Sequence, residues 1–406
     1  MSGSDLRYPL DDYLNSTLGL TRSDPVRAVI STSETSRDLL ASYLVSSPTH
    51  LTLRLLKLPT RSSLAAAHGV PTESFRMLTL VGLHVDNDLS QVVGWGECSA
   101  LNEPGYTTEW AEGAFDLIRG GGPLDPATAP MASAAIEMAM LDAELKQAGQ
   151  SLSDRLGTTG LSSTAGAVVG LAPLPTMLDE IEVLAAQGYG RIKIKIAPGK
   201  IVVPIQAIRA SFPELELHVD ANGSLQDRDM ASLVRLRDLG VRVVEQPFAA
   251  DNLQAAARLV ADTDLAVAAD EAVQSPLDID TLATHRAATA VVLKPSKLGG
   301  IRVALDVLDR IQVAGMHAII GGMLESGLGR HVLAALAPLP AFTLTGDLSP
   351  ASRWLEDDPF QDISMRNGMI PAPTQPGIAG EPVANLLHRY TVRDTTIAAS
   401  QMERLV

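Results

Sequence analysis

Five charged residues recur at nearly equal intervals: Lys195, Asp220, Glu245, Asp270 and Lys294 are separated by 25, 25, 25 and 24 positions. Three carboxylates brought to one point repel each other and are costly to bury without a cation. Oxygen donors with no Cys or His favour a hard ion, Mg²⁺ first and Mn²⁺ second. Lysines on either side add proton transfer to such a centre. An ordinary lysine titrates near 10.4, so a base working at about pH 7.5 needs a depression of roughly 3 units, about 4 kcal/mol. Burial, a neighbouring lysine and a divalent metal all push that way. A hard Lewis acid, a base on one face and a cation on the other suit removal of a proton beside a carboxylate, with the resulting enediolate held by positive charge.

Each of the five stands at or just past the end of a short apolar run, and the interval matches one strand–helix unit. Strands are expected at 167–171, 191–196, 215–219, 241–244, 265–268, 290–293, 318–320 and 342–344. Continuous apolar runs are the mark of parallel strands covered on both faces. Amphipathic helices lie between them: Met230, Leu233, Val234, Leu236 and Leu239 form one stripe, closed by Gly240. Eight such units predict an α/β fold, a (β/α) barrel of modified TIM type with room for one irregular unit, whose active site lies at the C-terminal rim of the strands. In Arg191-Ile192-Lys193-Ile194-Lys195 the period of two points both lysines into the barrel.

Ahead of the barrel, alternation at 51–55 and 77–85, the run Gly94-Trp95-Gly96-Glu97-Cys98 and a helical stretch over 125–146 predict an α+β capping domain. The division expected is an N-terminal extension over 1–48 with a possible helix at 35–45, the cap over 49–164, the barrel over 165–353, and a C-terminal segment over 354–406 that returns to the cap. A loop of small and polar residues over 60–69 carries His68.

The net charge of −15 argues against nucleic acid or an anionic membrane as a partner. The single cysteine, Cys98, rules out an intrachain disulfide and a Cys-based zinc site. With neither a signal peptide nor an apolar run of roughly 18–20 residues, a cytoplasmic enzyme acting on a small carboxylate is expected, commonly a homo-oligomer in barrels of this kind.

Taken in order, these segments resemble the enolase superfamily, in particular its muconate-lactonising-enzyme subgroup and the o-succinylbenzoate synthase/N-acylamino acid racemase branch. The matching runs are Gly94–Cys98, Lys193-Ile194-Lys195, Val219–Gly223, Val244–Pro247, Asp270-Glu271, Leu293–Pro295 and Gly321–Arg330. The resemblance implies Mg²⁺ on Asp220, Glu245 and Asp270, Lys195 as the base, and Lys193 as a cation near the enediolate. It makes Lys294 a supporting cation in a synthase and a second acid/base in a racemase. Asn222, Glu271, Glu325, Ser326 and His68 fall to supporting or substrate-contacting places.

Acid-sugar dehydratases of the superfamily carry a His base on a later strand, and here His317 falls at the wrong end of its strand. Dipeptide epimerases show a D-x-D pair where this chain has Thr345-Gly346-Asp347. The branch often reads K-P-G-R where this chain reads Lys294-Pro295-Ser296-Lys297. That change favours one-base dehydration over two-base racemisation. The expectation is therefore o-succinylbenzoate synthase, a dehydratase of menaquinone biosynthesis. N-acylamino acid racemase, a muconate-type cycloisomerase and a barrel that binds metal without catalysis follow in that order.

Overall fold

The computed structural model describes residues 48–61, 74–86 and 91–402. The helix expected at 35–45 lies outside them, as do His68 and most of its loop.

The described residues begin with three antiparallel strands, β1 (Pro48–Pro59), β2 (Phe75–Asp86) and β3 (Gln91–Cys98). Helices α1 (Ala111–Arg119), α2 (Pro130–Ala148) and α3 (Leu152–Leu156) follow, then a short β4 (Ser162–Thr164). α2 starts with proline at its first position and stops at Gly149, which holds φ 64°. It is buried on nearly every side, which explains why its Ala- and Met-rich sequence has no polar stripe. Its closest neighbour is β3. A Cβ at Gly94 would lie 2.1 Å from the Ala139 carbonyl oxygen, and one at Gly96 1.9 Å from that of Ala135. Only glycine lets the strand lie on the helix backbone at these two places.

The barrel then alternates: β5 (Gly166–Val169), α4 (Leu174–Ala186), β6 (Arg191–Lys195), α5 (Val202–Ser211), β7 (Glu216–Asp220), α6 (Met230–Asp238), β8 (Val241–Glu245), α7 (Leu253–Asp262) and β9 (Ala266–Ala269). It continues with α8 (Pro276–His285), β10 (Ala290–Leu293), the single turn α9 (Pro295–Leu298), α10 (Ile301–Val313), β11 (His317–Ile320) and α11 (Gly327–Leu336). Strands β5 to β11 pair in sequence order, all parallel, in one seven-stranded sheet. Val243, Ala268, Ala290, Val292, Ile319 and Leu344 fill its inside.

The eighth strand expected at 342–344 is not a strand. One bridge joins Leu344 to Ile319, and the segment beyond closes the barrel irregularly. Asp347 N donates to Ile320 O at 2.9 Å on one edge, and Gly166 N donates to Leu348 O at 3.0 Å on the other. A Cβ on Gly346 would stand 2.2 Å from Ile320 O, and one on Gly166 2.1 Å from Gly346 O. The closure is too tight for side chains there, so no apolar run marks it.

The C-terminal segment brings β12 (Met369–Pro371) against β4, then α12 (Ala384–Tyr390), β13 (Thr391–Ala398) and α13 (Ala399–Met402). β13 pairs antiparallel with β1, so the cap sheet runs β13-β1-β2-β3.

Candidate active site

Alternation along β6 buries Ile192 and Ile194 on the helix side and turns Arg191, Lys193 and Lys195 toward the barrel axis. The same parity on the neighbouring strands sets Asp220 at the end of β7 and Glu245 at the end of β8, directly paired in register. Asp270 follows β9 and Lys294 follows β10. All five residues singled out by spacing thus stand at one rim, the C-terminal end of the strands.

Each acid there is turned to a lysine. Lys193 Nζ donates to both oxygens of Glu245, at 2.9 and 2.7 Å, and to Asp347 Oδ2 at 2.5 Å. Lys195 Nζ donates to Asp220 Oδ2 at 2.7 Å and Asn222 Oδ1 at 2.6 Å. Across the barrel, Lys294 Nζ donates to Asp270 Oδ2 at 2.6 Å, while Lys297 Nζ donates to Asp270 Oδ1 at 2.9 Å and to its carbonyl at 2.6 Å. Tyr106, from the cap, donates its hydroxyl to Asp270 Oδ2 at 2.7 Å and accepts from Lys294 at 2.6 Å. Asn222 holds φ 44° and Gly223 φ 71°, a left-handed pair that turns the chain sharply after Asp220. The turn aims the Asn222 amide at Glu271, to which Nδ2 donates at 2.9 Å.

The electrostatics follow from these pairings. Burial alone would lower the Lys193 ammonium, but Asp347, Glu245 and Asp220 together push it above its ordinary value. Burial is likewise outweighed at Lys294, which Asp270, Glu245 and Glu271 raise. The depression expected for a buried lysine is therefore reversed at both, because each has carboxylate partners in direct contact. Asp270 is held well below the usual carboxylate range: burial opposes this, and Lys294 and Lys297 override it. Glu245 goes the other way, pushed up to about 8 by burial and by the neighbouring Asp220 carboxylate.

Whether the acids fit a metal can be judged from their surroundings. Among the described residues, no three acidic, His or Cys side chains already form a ligand cage. The donor set is nonetheless all oxygen. Burial and the Asp220 carboxylate push Glu245 up even against its Lys193 partner, and Glu271 Oε2 is buried without a hydrogen-bond partner. A hard divalent ion meets each of these conditions.

The remaining expected residues divide. Asn222 and Glu271 join the cluster. Ser326 and Glu325 stand at the seam between cap and barrel. Ser326 donates its backbone N–H to Glu97 Oε1 at 3.1 Å and its hydroxyl to Oε2. Glu325 accepts from Met323 N at 2.7 Å and pairs with Arg330 at 2.9 Å. His317 is exposed at the start of β11, where Nδ1 shares a hydrogen bond with Thr343 Oγ1 at 2.8 Å. His68 lies outside the described residues. Four residues complete the cluster without having been singled out: Tyr106, Arg191, Lys297 and Asp347. Arg191 had a readable signal, since the parity that turns Lys193 inward turns it inward too. Tyr106 sits in a loop with no periodicity to place it.

The fold and site together are a parallel barrel under an antiparallel cap, with lysines on opposed strands and three acids between them at one rim. Residues 176–384 match the family described as enolase C-terminal domain-like. Over 325 residues the chain is 37% identical to an o-succinylbenzoate synthase of Bacillus subtilis (strain 168), covering 75% of this chain and 88% of that protein. Over 326 residues it is 33% identical to an N-succinylamino acid racemase of an Amycolatopsis species, covering 75% and 89%. A solved enolase superfamily member from Listeria innocua aligns with a TM-score of 0.79 at 27% identity, covering 87% of this chain and 99% of that one. The chain belongs to the enolase superfamily, as a relative of the o-succinylbenzoate synthases and N-succinylamino acid racemases. No helix among the described residues is long and apolar enough to cross a membrane.

Proposed function

We propose that this enzyme removes the proton beside a substrate carboxylate with Lys195 and dehydrates its substrate as an o-succinylbenzoate synthase. The observation that carries the reading is the division of labour among the lysines. The Lys195 side chain is 14% exposed, against 4% for Lys193 and 8% for Lys294. Lys195 is the lysine a substrate meets most readily.

Asp220, Glu245 and Asp270 would hold a Mg²⁺ ion. When bound, the ion supplies a Lewis acid that makes the C–H beside the substrate carboxylate more acidic. Lys195 takes the proton, and the C–H electron pair moves toward the carboxylate to give an enediolate. Lys193 faces the developing negative charge as an ammonium. The enediolate electrons then expel the hydroxyl from the adjacent carbon, and Lys195 returns its proton to that group as it leaves as water. Lys294 stays charged throughout. The Tyr106 hydroxyl and the surrounding carboxylates of Asp270, Glu245 and Glu271 keep it so.

Racemisation asks Lys294 to lose and regain a proton, and its deeper burial among Asp270, Glu245 and Glu271 opposes that. This is why dehydration is preferred, although relatives with either activity stand at similar identity. The purified protein with Mg²⁺ should dehydrate the cyclohexadiene precursor, and Lys195→Ala should lose at least about a thousandfold in kcat. Efficient racemisation of N-succinylamino acids with the precursor left untouched would overturn the choice.

A further inference from the structure

Arg191 is fully buried at the start of β6, and a buried guanidinium needs a carboxylate. It finds Asp347: Nη1 donates to Oδ1 at 2.7 Å, while Nε and Nη2 donate to the Thr345 carbonyl at 3.1 and 2.9 Å. The other oxygen of Asp347 accepts from Lys193 at 2.5 Å. The Lys193 ammonium therefore lies between two carboxylates, Glu245 on β8 and Asp347 on the segment that closes the barrel. These two are not equivalent. Glu245 stands among the acids that would hold the divalent ion, and an oxygen given to a metal is withdrawn from the lysine. Asp347 is kept from following it, because Arg191 and the closing segment fix its free oxygen and its backbone.

We infer that Asp347, locked by Arg191, is the positioning residue that keeps Lys193 aimed at the reacting carboxylate once Glu245 is engaged by metal. The inference rests on the reading of Lys193 and the acid cluster given above. It assigns Asp347 a role by contact with Lys193 and none by contact with substrate.

The test uses the full-length enzyme and the near-isosteric Asp347→Asn. Native acetylation with acetic anhydride, read by mass spectrometry, reports how well Lys193 is held, with Lys57, exposed on the cap sheet, as internal reference. In the wild type, Lys193 should be protected with or without Mg²⁺. In Asp347→Asn it should stay protected without Mg²⁺ and label at least about fivefold faster with it, as Glu245 turns away. Turnover should show the matching split, kcat falling about thirtyfold with KM within threefold. Labelling of Lys193 that ignores the substitution in Mg²⁺ would overturn the inference. A KM that rises as much as kcat falls would do so too, since it would place Asp347 on the substrate. A wild type inert on the precursor and on N-succinylamino acids would overturn the functional reading instead, and the labelling would still decide the role of Asp347. Should Asp347→Asn fail to fold, Asp347→Glu keeps the charge one methylene out of place. The same metal-dependent labelling and the same kcat loss are then expected.

Discussion

The Lys294 ammonium and the Tyr106 hydroxyl meet 2.6 Å apart across the seam between barrel and cap. A group from one structural unit thus completes the hydrogen bonding of a charged group in the other, and both converge on a single oxygen of Asp270. Hydrogen bonds to charged groups contribute about 1.5–3 kcal/mol. Tyr106→Phe keeps the ring and removes only the hydroxyl. Steady-state kinetics should show a loss of roughly 10- to 100-fold in kcat/KM, with a melting temperature within a few degrees of wild type. Unchanged kinetics would mean that the contact has no part in turnover.

Metal dependence has a thermodynamic reading separate from activity. An ion bound to the folded state at about one hundred times its Kd stabilises by about 2.7 kcal/mol. Mg²⁺ should therefore raise the melting temperature of the wild type, and EDTA should reverse it. Asp220→Asn, scanned by calorimetry with and without Mg²⁺, should lose most of that rise. A full rise in the variant would move the ion elsewhere.

Two groups outside the acid cluster set opposing pH dependences on stability. His218, inside the barrel with Nε2 3.0 Å from Glu216 Oε1, is held down to about 4, chiefly by burial. As pH falls from about 6.5 toward 4 the unfolded chain takes up a proton that the folded one refuses, so stability is lost on the acid side. Asp358 accepts from Gly327 N and Phe360 N, and burial pushes its carboxyl up to about 7. The folded state keeps that proton while the unfolded state releases it near 4, so stability falls as pH rises from about 4 to 7. Each group contributes at most about 1.4 kcal/mol per pH unit. Urea titrations between about pH 4 and 6.5 should show the slope of stability against pH become more negative in His218→Gln and more positive in Asp358→Asn. Parallel curves for a variant and the wild type would exclude that residue as the source.

Gly96→Ala places a methyl 1.9 Å from the Ala135 carbonyl oxygen. Neither strand nor helix backbone can yield cheaply, and overpacking of this kind costs about 1–3 kcal/mol or more. Chemical denaturation should show a loss of at least that size, and Gly94→Ala should behave alike. Gly122→Ala, which meets nothing within 4 Å, should be close to neutral.

The sequence carried the barrel because its signals were local. A buried parallel strand is a short apolar run, and a charged residue just past it marks the rim, so Lys195, Asp220, Glu245, Asp270 and Lys294 could be placed without coordinates. The closing segment departs from the expected strand for the opposite reason. Its backbone approaches its neighbours through Gly166 and Gly346, and a close approach between glycines leaves no hydrophobic pattern. The lysine environments were illegible as well. Nothing in the sequence local to Lys193 shows that Asp347, 154 positions away, would raise its pKa instead of letting burial lower it.

The pairing of β13 with β1 has a consequence for how the protein is made. Strands β1 to β3 leave the ribosome before the barrel does, yet the edge of β1 stays open until residues 391–398 arrive to pair with residues 50–56. An exposed edge strand is a template for unwanted association, and contacts this distant in sequence form slowly. The N-terminal half must therefore wait, unfinished, through synthesis of the whole barrel. A C-terminal truncation that leaves every strand of the barrel intact should still yield an aggregating product.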